Sequence, residues 1–161
     1  MSKRLTIFLY SNSMKISKIV HRPFFFQVNG TQLAVGCADG TVALWYENGQ
    51  QSFEVGCDEA AGVGCLRWSV AAATAHLLAV GRTDGSVVVW NTARKAPTET
   101  LPTAHTGTVR DLCWISANRL VSSGDDGLIH ILQIGSASAV QTIRHTVGFF
   151  RVLIFSCTLQ L

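Results

Sequence analysis

Short apolar runs recur along the chain, each followed by a polar or glycine break. Leu33-Ala-Val-Gly36, Leu78-Ala-Val-Gly81 and Leu120-Val-Ser-Ser-Gly124 form one set. Val42–Trp45, Val87–Trp90 and Leu128–Leu132 form a second, each a few residues after a member of the first. Runs this short, bounded by turn residues and rich in β-branched and aromatic side chains, predict strands rather than helices. Val87–Trp90 is apolar at every position, so its strand is expected to be buried on both faces. Aromatic-ended runs lie upstream in two places, Val63-Gly-Cys-Leu-Arg-Trp68 and Val109-Arg-Asp-Leu-Cys-Trp114. Near the N-terminus, Leu5, Ile7 and Leu9 alternate as a strand would.

These runs repeat as a unit. Asp39-Gly-Thr-Val-Ala-Leu-Trp45 returns as Asp84-Gly-Ser-Val-Val-Val-Trp90 and again as Asp126-Gly-Leu-Ile-His-Ile-Leu132, at intervals of 45 and 42 residues. One unit reads as a four-stranded meander with Asp-Gly in the tight turn between its second and third strands. Glycine tolerates positive φ there, and the aspartate can hold the local backbone. A lone meander cannot bury two apolar faces, whereas stacking against like neighbours does.

The repeat resembles the WD40-repeat family. The third copy carries the fullest match, Ala104-His105-Thr-Gly107-Thr-Val109-Arg-Asp-Leu112-Cys-Trp114 followed by Leu120-Val-Ser122-Ser-Gly-Asp-Asp126-Gly127. The likeness runs from about Phe24 to Phe155. It implies an all-β, WD40-type β-propeller with one four-stranded blade per repeat and the first strand innermost. At about 40–45 residues per blade, the expected organisation is a partial arc of about three blades plus an incomplete fourth. Blades are expected over 24–57, 58–102 and 103–144, with the partial unit at 145–161, where His145 to Phe155 echoes His105 to Trp114. Residues 1–23 stand apart as a basic N-terminal segment. Propellers usually close with four to eight blades, so the arc looks like part of a larger ring.

The resemblance also implies a structural side-chain network. The third copy supplies His105, Ser122 and Asp126, with Leu132 where tryptophan is expected. The other copies supply Asp39 with Trp45 and Asp84 with Trp90, yet place Val35 and Val80 at the Ser/Thr position. Neither has the leading histidine; Glu59 aligns near it in the second copy. Trp45-Tyr46 and Trp90-Asn91 replace the Trp-Asp pair that names the family. With no copy complete, rigidity is expected to rest more on apolar packing than on this network.

Composition changes the picture in two places. The mean hydropathy of +0.29 calls for a search for membrane spans, but Val70–Gly81 is too short and is bracketed by Arg67 and Arg82. The net charge of +3 is uneven, because Lys3, Arg4, Lys15, Lys18 and Arg22 all precede the first acidic residue, Asp39. A targeting presequence and a strand both fit that end. Charge confined to one end does not make a nucleic-acid face, so a nucleic-acid partner is disfavoured. The five cysteines, Cys37, Cys57, Cys65, Cys113 and Cys157, show no paired spacing, and the five histidines supply no partner for zinc. Buried reduced thiols in an intracellular protein, cytoplasmic or nuclear, are the expectation.

Chemistry is weakly signalled. Ser122, His105 and Asp126 offer the residue types of a hydrolase triad, but Val121-Ser-Ser-Gly-Asp125 is no nucleophile elbow. Gly62-Val-Gly64 opens a dinucleotide fingerprint only at the start of a strand, and no phosphate loop occurs. Asp125-Asp126 reads as turn chemistry, the tryptophans as packing, and His21, His76 and His130 as packed or solvent-facing. No catalytic residue, cofactor or metal is therefore expected. Recognition remains, with Arg82 and Asp125 beside Asp-Gly turns, and Thr108 and Arg110 after the His105 loop, as candidate partner contacts. The favoured function is a non-catalytic scaffold or adaptor binding other proteins in a multi-subunit assembly, off the membrane. One alternative is an incomplete propeller that needs further blades, a partner chain or self-association to cover its open faces. The other is a hydrolase using Ser122, His105 and Asp126.

Overall fold

A computed structural model describes residues 23–28, 32–46, 51–55, 61–101, 104–136 and 139–144. They form three antiparallel four-stranded sheets. The first holds β1 (Pro23–Val28), β2 (Gln32–Cys37), β3 (Val42–Tyr46) and β4 (Gln51–Val55). The second holds β5 (Val63–Trp68), β6 (Leu77–Arg82), β7 (Val87–Asn91) and β8 (Ala96–Leu101), with a 3₁₀ turn at Ala72–Thr74 between β5 and β6. The third holds β9 (Val109–Ser116), β10 (Arg119–Gly124), β11 (Leu128–Gln133) and β12 (Ala139–Arg144). Each sheet keeps chain order, and the first strands β1, β5 and β9 lie side by side.

The repeated Asp-Gly turns fix each register. Gly40, Gly85 and Gly127 have φ of 86°, 89° and 72°, the left-handed region that glycine enters without a Cβ penalty. In each turn the aspartate Oδ1 accepts the N–H two residues on: Thr41 at 3.0 Å, Ser86 at 2.9 Å and Leu128 at 3.0 Å. The pairs that close the hairpins are Gly36 with Val42, Gly81 with Val87 and Ser123 with Ile129.

The middle sheet explains the unbroken apolar runs. All six residues of β6 are buried. Leu78 and Val80 pack toward the first sheet with Ala34, Val42 and Leu44. Leu77 and Ala79 pack toward the third with Leu112, Trp114 and Leu120. A strand in the middle of a stack has no solvent face, so period-two alternation disappears. Each fully buried leucine here contributes roughly 1.5–3 kcal/mol by leaving water. Polar bonds tie the second sheet to the third. Arg67 meets Asp111 at 2.7 Å, and the Trp114 indole donates to the Arg67 carbonyl at 3.1 Å. The Gly135 N–H donates to Glu99 at 2.7 Å.

Cys37, Cys65 and Cys113 form no disulfide; the first two are buried and the third is half-buried. No helix among the described residues is long and apolar enough to cross a membrane. The expectations for residues 1–22, for Cys57, Glu59 and Cys157, and for the partial unit at 145–161 lie outside the described residues.

Candidate functional site

The loop before β9 delivers His105 into the third sheet. Its backbone N–H donates to the Gly85 carbonyl of the neighbouring sheet at 2.9 Å, so the second sheet's turn sets the histidine's position. The ring lies over Gly124, where a side chain would not fit. His105 Nδ1 reaches Asp126 Oδ1 at 2.9 Å, and Nε2 reaches Ser122 Oγ at 2.9 Å. The carboxylate accepts, which places a proton on Nδ1; in the neutral ring Nε2 then accepts from the Ser122 hydroxyl. All three sequence-selected residues of the third copy therefore meet. The side chains are almost wholly enclosed, with 0% exposure for His105 and 7% for Asp126.

Electrostatics follow from that enclosure. Burial pushes the Asp126 carboxyl up, but hydrogen bonds from His105 and from the Leu128 and Thr106 amides outweigh it and hold it below its ordinary value. His130 on β11 sits beside the network, its ring centroid 4.6 Å from that of His105. Its Nδ1 meets Thr142 Oγ1 at 2.8 Å. Burial, followed by the charge of His105, lowers its pKa. His130 lay outside the expected network. The signal was present: four residues after Asp126, it stands where the other copies have Ala43 and Val88.

The other copies build less. Asp39 and Asp84 serve their own turns, and Asp84 also accepts from the Ser86 hydroxyl at 2.7 Å. Trp45 and Trp90 are half-buried. The Trp90 indole nitrogen is enclosed with no hydrogen-bond partner among the described residues, and the tryptophan packs against the cluster that contains Val80. Valine at the Ser/Thr position offers that indole nothing to donate to.

The four rim candidates separate. Arg110 and Asp125 are exposed and form a two-pronged ion pair, Nε to Oδ1 and Nη2 to Oδ2, both 2.6 Å. The Arg110 hydrogen bonds, with its charge behind them, hold the Asp125 carboxyl below its ordinary value. Thr108 is half-buried and reaches the Thr83 carbonyl at 3.3 Å, bridging two sheets. Arg82 does not belong with them, since it is only 8% exposed. It aligns with Gly124 of the third copy, at the end of a strand packed between two sheets, and that packing encloses it.

Three stacked meanders, three matched Asp-Gly turns and a His–Ser–Asp chain in one of them agree with the family comparison. The WD domain, G-beta repeat family matches residues 8–46 and 96–132. The matched segments are WD40 repeats. An uncharacterised WD repeat-containing protein of Schizosaccharomyces pombe is 25% identical over 136 residues, 76% of this chain and 25% of that protein. The F-box-like/WD repeat-containing protein TBL1X of Homo sapiens is 25% identical over 122 residues, 75% of this chain and 20% of that protein. The chain thus spans about a quarter or less of the curated relatives it matches. Among solved structures, the WD40 β-propeller domain of Doa1 superposes with a TM-score of 0.70 at 16% identity, covering 83% of this chain and 43% of that one. The computationally designed Ika4 protein superposes at 0.68 and 20% identity, over 88% of this chain and 82% of that one. A chain in the Mitotic Checkpoint Complex structure matches at 0.62 and 26% identity, over 71% of this chain and 35% of that one. The fold is the WD40 propeller fold, matched over part of its length.

In WD40 terms the third blade keeps a three-membered network without its tryptophan. Leu132 fills that place as a buried apolar residue, 1% exposed. The chain of bonds from Ser122 through His105 to Asp126 has the order of a nucleophile, base and acid. Ser122 is wholly buried at 0% exposure, with its hydroxyl turned to His105.

Proposed function

We propose that this chain is a non-catalytic WD40 scaffold that binds other proteins, using the rim of its third blade. The observation that carries the reading is the rim's construction. Arg110, near the start of β9, and Asp125, in the turn beside the buried Asp126, stand exposed in a mutually fixed, two-pronged geometry, and the Asp125 N–H donates to the Thr108 carbonyl at 3.0 Å. An exposed ion pair of this kind adds little to folding, about 0.2–1 kcal/mol, so a partner that exchanges it for its own charges costs the fold little. Rigid scaffolds that present polar loop residues are suited to contact. The similarity to a chain of the Mitotic Checkpoint Complex supports a place in an assembly, without selecting which one.

The test compares native-source affinity purification of the wild-type chain with an Arg110→Glu, Asp125→Arg double variant, quantified by mass spectrometry. The reading expects a defined set of proteins to be lost from the variant while its circular dichroism and melting stay unchanged. An identical set for both chains would remove the rim from the account. A serine-reactive fluorophosphonate should leave Ser122 unlabelled in folded protein; labelling there would restore the hydrolase alternative.

A further inference from the structure

We infer that His105, Asp126 and His130 form a binding site for one divalent transition metal of the zinc class. One ring nitrogen from each histidine and a carboxylate oxygen of Asp126 all lie within 4.8 Å of one another. The two rings are tilted by 56°, with centroids 4.6 Å apart. Zinc bonds nitrogen at about 2.0–2.1 Å, which puts neighbouring tetrahedral ligands about 3.4 Å apart. The longest separation must therefore shrink by up to about 1.4 Å, and the 2.9 Å contact between His105 and Asp126 must open slightly, to give a three-residue set with water as the fourth ligand.

The surroundings match what such a site requires. A metal-binding imidazole normally directs its other nitrogen at a fixed polar partner, which sets ring orientation. Both rings have one: Ser122 Oγ stands 2.9 Å from Nε2 of His105, and Thr142 Oγ1 stands 2.8 Å from Nδ1 of His130. That leaves Nδ1 of His105 and Nε2 of His130 as the ligating nitrogens. Binding moves the His105 proton from Nδ1 to Nε2, the ring stays neutral, and Ser122 turns from donor to acceptor. Two imidazoles and one carboxylate favour zinc-like ions over calcium or magnesium, which take oxygen ligands. The placement is specific to this blade, since the equivalents of His130 are Ala43 and Val88. The short-spacing rule that led the sequence to predict no metal is blind to a pair separated by 25 residues and joined across a sheet. A metal here would cross-link the His105 loop, the Asp126 turn and β11. The inference does not depend on the proposed role in protein binding.

The test uses the full chain, free of tag histidines and stripped with a chelator. Titration with Zn²⁺ is followed by calorimetry, and Co²⁺ by absorption. The expected result is one ion per chain, visible Co²⁺ bands of tetrahedral intensity, and no near-ultraviolet thiolate band. His130→Val copies the residue of the second blade; it should keep the circular dichroism and melting of the metal-free chain, yet weaken Zn²⁺ by roughly 100-fold or more. Thr142→Val, on the exposed outer strand, should weaken it by about 10-fold through lost orientation alone. Absence of stoichiometric binding, unchanged affinity in folded His130→Val, or a thiolate band would each overturn the proposal.

Discussion

Gly124 lies so close to the His105 imidazole that an added β-carbon would come within 2.6 Å of both Cγ and Nδ1. This approach lets the ring reach Asp126 and Ser122 together. Gly124→Ala is expected to destabilise the chain by about 1–3 kcal/mol and to displace the imidazole resonances of His105. Gly127→Ala is the control, since its added carbon meets nothing within 4 Å and only its φ of 72° is strained. It should cost about 1 kcal/mol and leave His105 in place. Urea denaturation with histidine NMR reads both effects. A Gly124→Ala chain as stable as wild type, with unmoved resonances, would show that the ring is not held there.

The Trp90 indole, without a partner among the described residues, makes a second prediction. Placing a hydroxyl in an apolar core normally costs about 1–3 kcal/mol. Val89→Thr, on the face packed against the third sheet, should show that cost. Val80→Thr restores the hydroxyl type that Ser122 supplies in the third blade, and is expected to be neutral or stabilising. Slower exchange of the Trp90 indole proton should accompany it. Equal losses for the two variants would mean that the orphan indole and Val80 are unrelated.

Cys65 governs the alkaline side. Burial, reinforced by the negative charge of Asp111, pushes its thiol up to about 12. Below the ordinary thiol range both folded and unfolded chains carry the proton, so the contribution is fully present. Above pH 9 the unfolded chain loses the proton first, and stability falls by about 1.4 kcal/mol per pH unit until the folded thiol also ionises near 12. The difference in urea midpoint between wild type and Cys65→Ala, measured at pH 8 and 10.5, should shrink as pH rises. A constant difference would contradict the buried thiol, as would iodoacetamide labelling of Cys65 in the native chain at pH 8.

Much of the fold was legible because it repeats. Asp39, Asp84 and Asp126 each precede a glycine at matched spacing, and the same physics produces the same turn three times. His105, Ser122 and Asp126 were legible as a group through the family resemblance. Arg82 was not, because its neighbours in sequence say nothing about the two sheets that enclose it. His130 escaped because a single chain reading treats it as one polar residue in an apolar strand. Only alignment of the copies, Ala43 and Val88 against His130, marks it as a place where the third blade differs. The cross-sheet contacts of Arg67 with Asp111 and of Gly135 with Glu99 arise from stacking, which intervals of 45 and 42 residues imply but do not orient.

The third blade contains a continuous buried chain of hydrogen bonds from Ser122 through His105 to Asp126. Long-range ¹H–¹⁵N NMR of the metal-free chain observes it directly. The expected result is the Nδ1–H tautomer for His105, with that proton protected from exchange in wild type and lost from protection in Asp126→Asn. An Nε2–H tautomer, or a ring proton exchanging at the solvent rate, would contradict it.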